Sequence, residues 1–319
     1  VRVMSEVLGR DGVLNVFKPH GCTSYQVVDQ VKRLLPGGKV GHAGTLDPNA
    51  TGVLPVCVGR ATKIVPYLLE ATKSYVATMR LGVVTDTQDG AGQVVERAVA
   101  VAVRDDELEG VFARFRGAIW QMPPMYSAIR YGGRRLYQLA RRGLSVERKP
   151  RRITVYDLML LGRSDRDVIF RITCSSGTYV RTLCHDMGRL LGCGAYLRLL
   201  ERTRVGPFDI ESALLLERLC SVAKVGQLGQ VLIPMDEALA FLPSVVLRQD
   251  CVGDVLQGMP ISRRFVRTLS TGIARGAIVR VRSGDGQLLA LAEAVTGPDE
   301  QAAATEGAVL FRLRRVLAA

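Results

Sequence analysis

The stretch from Gly41 to Val56, GHAGTLDPNATGVLPV, limits what the chain can fold into more than any other. Three glycines and one proline fall between Gly41 and Gly52. Glycine tolerates left-handed backbone and proline lacks an N–H, so neither helix nor strand is expected there. Such a loop faces solvent, because buried irregular backbone leaves polar groups unpaired. Asp47 has no acidic neighbour within six positions on either side. Pro48 biases it away from helical backbone. On residue type alone, Asp47 is a turn aspartate that hydrogen-bonds its own backbone.

What such a loop could serve is bounded by charge. Across 319 residues, Lys and Arg number 43 against 30 Asp and Glu, a net charge of +13. That excess points to a polyanionic partner, nucleic acid before a membrane surface. The length suits two domains, and 48% apolar residues exclude wholesale disorder. The seven cysteines are odd in number and contain no C-x-x-C, so free thiols in a reducing compartment are expected. Three scattered histidines, at 20, 42 and 185, argue against a metal centre. The sequence contains no run of signal-peptide or membrane-spanning character, and the expected location is the cytoplasm.

Patterning gives a coarse order of elements. Val13 to Phe17 is a strand, and Thr23 or Ser24 caps a helix with Val27, Val28, Val31, Leu34 and Leu35 on its apolar face. Pro36-Gly37-Gly38 ends that helix. Val53 to Val58 is a strand, and Gly59 to Ala71 reads as a helix with Pro66 near its first turn. Lys73 to Gly82 alternates as a strand with Tyr75, Ala77, Met79 and Leu81 on one face. Thr85 to Gly90 lacks the ligand spacing of a calcium loop and reads as a turn. Asp105 to Phe115 is a helix, and Pro123-Pro124 suggests an extended, exposed edge. Ile153 to Leu161 and Val168 to Cys174 pair as strands. Gly177 turns the chain into a helix capped by Thr178. Gly192 to Thr203 is a turn and strand, and 210 to 240 is helical. Beyond a boundary at Leu242-Pro243-Ser244 come short strands at 245–247, 277–281, 288–294 and 308–313, with a helix between Gly253 and Gly258. Periodicity alone supports a mixed α/β or α+β fold.

The segment from Arg130 to Arg152 is the most basic, with nine Lys or Arg and one acid, Glu147. A charge run is ordinarily a solvated face. Here Tyr131 and Tyr137 are interleaved, which suits phosphate contact with base or sugar packing. A short helix is expected from Arg134 to Arg142.

Written out, H-A-G-T-L-D-P-x-A-T-G-x-L from His42 to Leu54 resembles the signature of the TruB family of pseudouridine synthases. Further matches are Lys18-Pro19, Gly59 with Ala61-Thr62-Lys63, Lys73-x-Tyr75, and Gly82-x-x-Thr85-Asp86-Thr87-x-Asp89. Two more are Gln121-x-Pro123-Pro124-x-Tyr126-Ser127-Ala128 and Gly177-Thr178-Tyr179-x-Arg181-Thr182. The resemblance covers roughly residues 12 to 210 strongly and the tail loosely.

It implies an α+β fold: a mixed, largely antiparallel sheet with flanking helices, followed by a small PUA-like barrel. The catalytic domain would span 1–243, with an RNA-binding insertion at about 124–152, and the RNA-binding barrel 244–319. It implies Asp47 as nucleophile, Arg181 as its ion-pair partner and Tyr75 stacked on the target base. His42 would fill the space vacated by a flipped base, and Tyr179 and Leu200 would wall the pocket. Lys18 and Pro19 would lie near the active site, where the residues alone read as a surface lysine and a turn. Arg130, Arg134, Arg135, Arg141 and Arg142 would embrace the RNA, in a segment poorly ordered without it. The implied reaction is isomerisation of uridine 55 in the tRNA T loop, by a monomer with no metal, cofactor, obligate protein partner or membrane. Two departures stand out: Cys184-His185-Asp186 where relatives often carry acids, and Glu201 in place of an arginine of the Leu-Arg-Arg strand. A guide-RNA-dependent relative and a non-catalytic RNA-binding or tRNA-folding protein are the competing readings.

Overall fold

The computed structural model describes residues 11–35 and 37–318. Its organising element is a nine-stranded mixed sheet. The first three strands are β1 (Gly12–Lys18), β2 (Val40–His42) and β3 (Thr51–Val58). β4 (Lys73–Leu81) follows, and β5 (Val83–Thr85) and β6 (Val94–Arg97) form a separate hairpin. β7 (Gly117–Gln121) is the sheet edge, and β8 (Arg130–Tyr131) and β9 (Arg134–Arg135) form a second small hairpin. β10 (Arg151–Ser164), β11 (Asp167–Cys174), β12 (Ala195–Val205) and β13 (Phe208–Asp209) complete the set. The main order is β1-β3-β12-β4-β11-β10-β7, with β2 paired to β3 and β13 to β12. All pairs are antiparallel except β3–β12, where Thr51 faces Glu201 and Gly52 faces Arg202.

The period-2 pattern of β4 decides what the sheet covers. Lys73, Tyr75, Ala77, Met79 and Leu81 are buried and the residues between them are not. Helix α1 (Ser24–Leu34) packs Val27, Val28 and Val31 against Leu14, Val16 and Leu54. Its N-terminus carries a reciprocal cap, Thr23 with Gln26. α2 is short (Val65–Leu69). α3 (Asp105–Phe115) lays Leu108, Val111, Phe112 and Phe115 on the β4 face, as its spacing predicts. After α4 (Leu136–Ala140), α5 (Val180–Leu190) joins α3 on that face through Leu183, Cys184 and Met187. α6 (Leu216–Lys224) and α7 (Met235–Ala238) lead to the second sheet.

That six-stranded, barrel-like sheet is the expected small C-terminal barrel. Its strands are β14 (Ser244–Leu247), β15 (Ile261–Ser262), β16 (Val266–Leu269), β17 (Ile278–Arg282), β18 (Leu288–Ala294) and β19 (Val309–Val316), with α8 (Val252–Leu256) and α9 (Pro298–Ala302) at its margins. Leu288, Leu291 and Leu317 pack into one cluster with Val13, Val53 and Cys57 of the first sheet and Leu68 of α2.

Several local expectations need correction. The glycine-rich loop begins with a strand, because Val40–His42 pairs with Val56–Val58 and so satisfies its backbone. Residues 59–71 are a 3₁₀ turn (Gly59–Ile64) and then α2, with Pro66 in the first turn of α2. Pro123 and Pro124 follow the edge strand but are buried. Thr178 donates to Ser175 O (3.0 Å) and does not cap α5. Gln121 does that work from β7, accepting Tyr179 N–H at 2.8 Å and donating to Tyr179 O at 3.0 Å. In the basic segment only Leu136–Ala140 is helical, after a hairpin whose Gly132 and Gly133 both have positive φ. Residues 210–240 hold two short helices and a 3₁₀ turn, not a continuous run. β15 and β16 were not foreseen, since strands of two and four residues carry too little alternation to read. Pro36, expected to end α1, lies outside the described residues.

Candidate active site

The Asp47 loop is pinned from three sides. Ser24, in the first turn of α1, accepts Leu46 N–H at 2.9 Å and donates to Leu46 O at 3.2 Å. The buried Lys18 ammonium donates to the carbonyls of Pro19 (2.9 Å), Cys22 (2.7 Å) and Pro48 (3.2 Å). The fully buried Arg202 guanidinium donates to Gly44 O (2.9 Å) and Val53 O (2.8 Å). Close approach of this strand needs Gly52: its φ is +104°, and a Cβ there would stand 2.2 Å from Arg202 O.

Held this way, Asp47 presents its carboxylate to Arg181, Oδ2 to Nη2 3.5 Å, with 46% of the side chain open to solvent. Arg181 is buried on the first turn of α5. It also meets Asp89 at 3.3 Å and donates to Tyr126 O at 2.5 Å. Its guanidinium carbon is 5.9 Å from the Tyr179 ring centre. The expectation that Arg181 favours ionised Asp47 covers only part of the balance. Burial raises the Asp47 pKa, Arg181 opposes it, Asp89 adds to the rise and Lys18 lowers it again; the net direction is up.

Tyr75 stands directly across from Arg202 in the β4–β12 register. Opposed residues share a face, and the buried phenol faces the guanidinium. Burial pushes its pKa to about 12, so it is a neutral hydroxyl at any working pH. Leu200, half-buried opposite Ala77, packs against the same cluster. His42 lies on β2 opposite Val56, with Nδ1 buried and without a partner among the described residues. Burial, then Arg202 and Arg135, depress its pKa and keep the ring neutral. Pro19 is exposed, and its carbonyl accepts from Lys18 and from the Cys22 thiol. Arg130, Arg134, Arg135, Arg141 and Arg142 are all exposed on or beside the β8–β9 hairpin and α4. Arg141 lies over Tyr137 at 5.5 Å, and Arg135 is near enough to bear on His42.

Asp47, Arg181, Tyr179, Tyr75 and Lys18 thus converge, with Leu200 in the neighbouring apolar cluster and His42 near Arg202. Sequence reading missed Arg202, Asp89 and Lys73. Arg202 carried a signal, a charge on the inward phase of a strand. Asp89 sits in the segment read as a plain turn. Lys73 is buried beside Arg202, donating to Leu69 O (2.8 Å) and Ala71 O (2.7 Å). Among the described residues no group of three or more His, Cys, Asp or Glu is placed to hold a metal ion.

The sheet and its helical cover are those of a pseudouridine synthase, an isomerase class. Within it, the chain belongs to the TruB family: the TruB family pseudouridylate synthase N-terminal domain matches residues 32–180, and the tRNA pseudouridylate synthase B C-terminal domain matches 181–240. It is 44% identical over 288 residues to tRNA pseudouridine synthase B of Syntrophomonas wolfei subsp. wolfei, spanning 89% of this chain and 93% of that one. It is 45% identical to the protein of that name from Geobacter sulfurreducens, over 90% of this chain and 94% of the relative. Among solved structures, a chain of a Cbf5–Nop10–Gar1 complex superposes with a TM-score of 0.81 at 32% identity, covering 99% of this chain and 87% of the other. A chain of an H/ACA RNP bound to a substrate RNA containing 2′-deoxyuridine gives 0.77 at 31%, covering 97% and 85%.

Proposed function

We propose that this protein converts uridine 55 in the T loop of tRNA to pseudouridine, acting alone on the RNA. The observation that carries the reading is the Asp47–Arg181 pair, with nearly half of the Asp47 side chain open to solvent and the Arg181 guanidinium against the Tyr179 ring. A uridine stacked in a folded arm is out of reach of such a recess and must be flipped into it. Tyr75 stacks on the flipped base, Tyr179 and Leu200 wall it, and His42 takes its former place. The reaction breaks N1–C1′, turns the uracil and joins C5 to C1′. A proton leaves C5 and one is gained at N1, so nothing is added or lost overall. Asp47 is the nucleophile or base, and Arg181 orients it. The exposed arginines 130, 134, 135, 141 and 142 take RNA phosphates. Residues 1–243 serve as the catalytic domain, and 244–319 as a PUA-like RNA-binding one.

The second reading, dependence on a guide RNA and partner proteins, is favoured by the likeness to chains solved in Cbf5 and H/ACA complexes. One experiment separates them. Purified wild type and Asp47→Ala are incubated with an unmodified tRNA transcript in EDTA, and pseudouridine is mapped by site. Product at the T-loop uridine from wild type alone supports the proposal. No product from a folded wild type that binds the transcript refutes the stand-alone reading.

A further inference from the structure

A cavity of about 580 Å³ opens at the end of β4 remote from Tyr75, between the β5–β6 hairpin, the β10–β11 turn and Tyr196 of β12. Three arginines line it, Arg80, Arg97 and Arg166, against one carboxylate, Asp165. Arg80 is already engaged, 3.3 Å from Asp165 and 3.3 Å from Asp167. Arg97 and Arg166 have no carboxylate within 4.0 Å and no side-chain hydrogen bond among the described residues. The cavity therefore holds uncompensated positive charge on planar donors that match phosphate oxygens in pairs. Tyr196 stands opposite Arg80 in the β4–β12 register, which puts a half-buried aromatic ring on the same wall. Gly90 and Gly92 leave another wall as bare backbone. Guanidinium pairs beside an aromatic face suit a phosphate with a stacked base.

We propose that this cavity is a second nucleotide subsite, taking a phosphate-bearing nucleotide other than the one that is isomerised. Arg80 lies five residue steps along β4 from Tyr75, about 17 Å at the usual rise, so one nucleotide cannot fill both places. Asp89, which meets Arg181, is followed directly by Gly90 of the cavity lining, so the cavity adjoins a group that contacts Arg181 rather than the reacting carboxylate, and it serves binding. Two sources share this chemistry, a nucleotide of the bound RNA or a free mononucleotide. The RNA source rests on the function proposed above.

The test uses the double variant Arg97→Ala/Arg166→Ala. Arg97 is exposed and Arg166 half-buried. The control is Arg218→Ala/Lys224→Ala, which removes two exposed charges from α6. Binding of an unmodified tRNA transcript and of uridine 5′-monophosphate is measured across a salt series. An RNA nucleotide in the cavity predicts about tenfold weaker tRNA binding and a salt slope smaller by about one to two in the test variant only. The rate at saturating protein should be unchanged. Mononucleotide binding lost in the test variant, with tRNA affinity unchanged, assigns the site to free nucleotide. Unchanged binding of both probes, or an equal loss in the control, overturns the proposal. A wild type that makes no pseudouridine defeats the functional reading, while the mononucleotide titration still decides the cavity.

Discussion

Replacing Arg202 by Met separates what holds the protein together from what aligns its site. The substitution deletes the donors to Gly44 O and Val53 O. Each bond from a charged donor contributes ~1.5–3 kcal/mol, so the gross loss is about 3–6 kcal/mol. Against this, Arg202 is 1% exposed with no carboxylate within 4.0 Å among the described residues, and burial is the main cause depressing its pKa. Desolvating a charge in a protein costs several kcal/mol, and Met avoids it while filling much the same stem volume. The two sides nearly cancel, which leaves a net stability change within about 2 kcal/mol. Alignment has no such offset. The loop carrying Asp47 loses its tie to β12, and Tyr75 loses the group that faces its hydroxyl. A shift of about 1 Å at reacting groups costs about 10²-fold in rate. Thermal melts, RNA titration and single-turnover conversion of a tRNA transcript read the three quantities apart. The expected pattern is a melting shift of a few degrees, near-normal affinity and a rate down about 10²-fold. Turnover within about threefold of wild type would refute the positioning argument. Destabilisation beyond about 4 kcal/mol would refute the charge balance.

Gly52→Ala places a methyl 2.2 Å from Arg202 O at a left-handed backbone position, so β3 and β12 must part. Loss of more than about 3 kcal/mol in a urea melt is expected, and a smaller loss would mean that the strands can slide. Asp89→Asn removes a carboxylate that raises the Asp47 pKa. If Asp47 works ionised, the rate climbs as pH passes its raised pKa, and the variant's acid limb moves to lower pH; an unmoved limb in the pH–rate profile counts against the coupling. Burial lowers the Lys73 pKa to about 8. Between there and the usual ~10.4 the unfolded chain binds the extra proton, so this group adds stability as pH rises. Wild type should gain on Lys73→Met from pH 8 to 10 in denaturant melts, and parallel curves would exclude the shift.

How much of this was legible depended on how each residue announces itself. The alternation of Tyr75, Ala77, Met79 and Leu81 and the helical spacing of Leu108, Val111, Phe112 and Phe115 are local periodic signals, and both appear as read. The convergence of Asp47 and Arg181 came from motif resemblance, because the 133 residues of chain between them hide the contact from any local rule. Gln121 as the cap of α5 had no local signal, since the donor it satisfies belongs to another element 58 residues away. The loop strand β2 was missed for the opposite reason: glycine at 41 argues against pairing locally, and partner β3 supplies the bonds. Asp89 was read as a turn residue, and it is one, with Thr87 donating to its carboxylate at 2.7 Å. Its second oxygen is what reaches Arg181.

The three cations missed or underread at the back of the site share one property. Lys18, Lys73 and Arg202 are buried, and none has a carboxylate within 4.0 Å among the described residues. Buried charges are ordinarily paired with opposite charges. Here seven backbone carbonyls do the solvating, those of residues 19, 22, 48, 69, 71, 44 and 53. Three of these belong to the Asp47 loop or the start of β3: 44, 48 and 53. Moving the loop would strip ligands from a buried cation, so the backbone around Asp47 is stiffened by charge and not by apolar packing alone. The carboxylate itself escapes this. It touches one guanidinium at 3.5 Å and keeps nearly half its side chain open. Rigid backbone behind and a lightly held oxygen in front is the arrangement a reacting carboxylate needs. It must be placed to within a fraction of an ångström, yet remain free to bond to substrate.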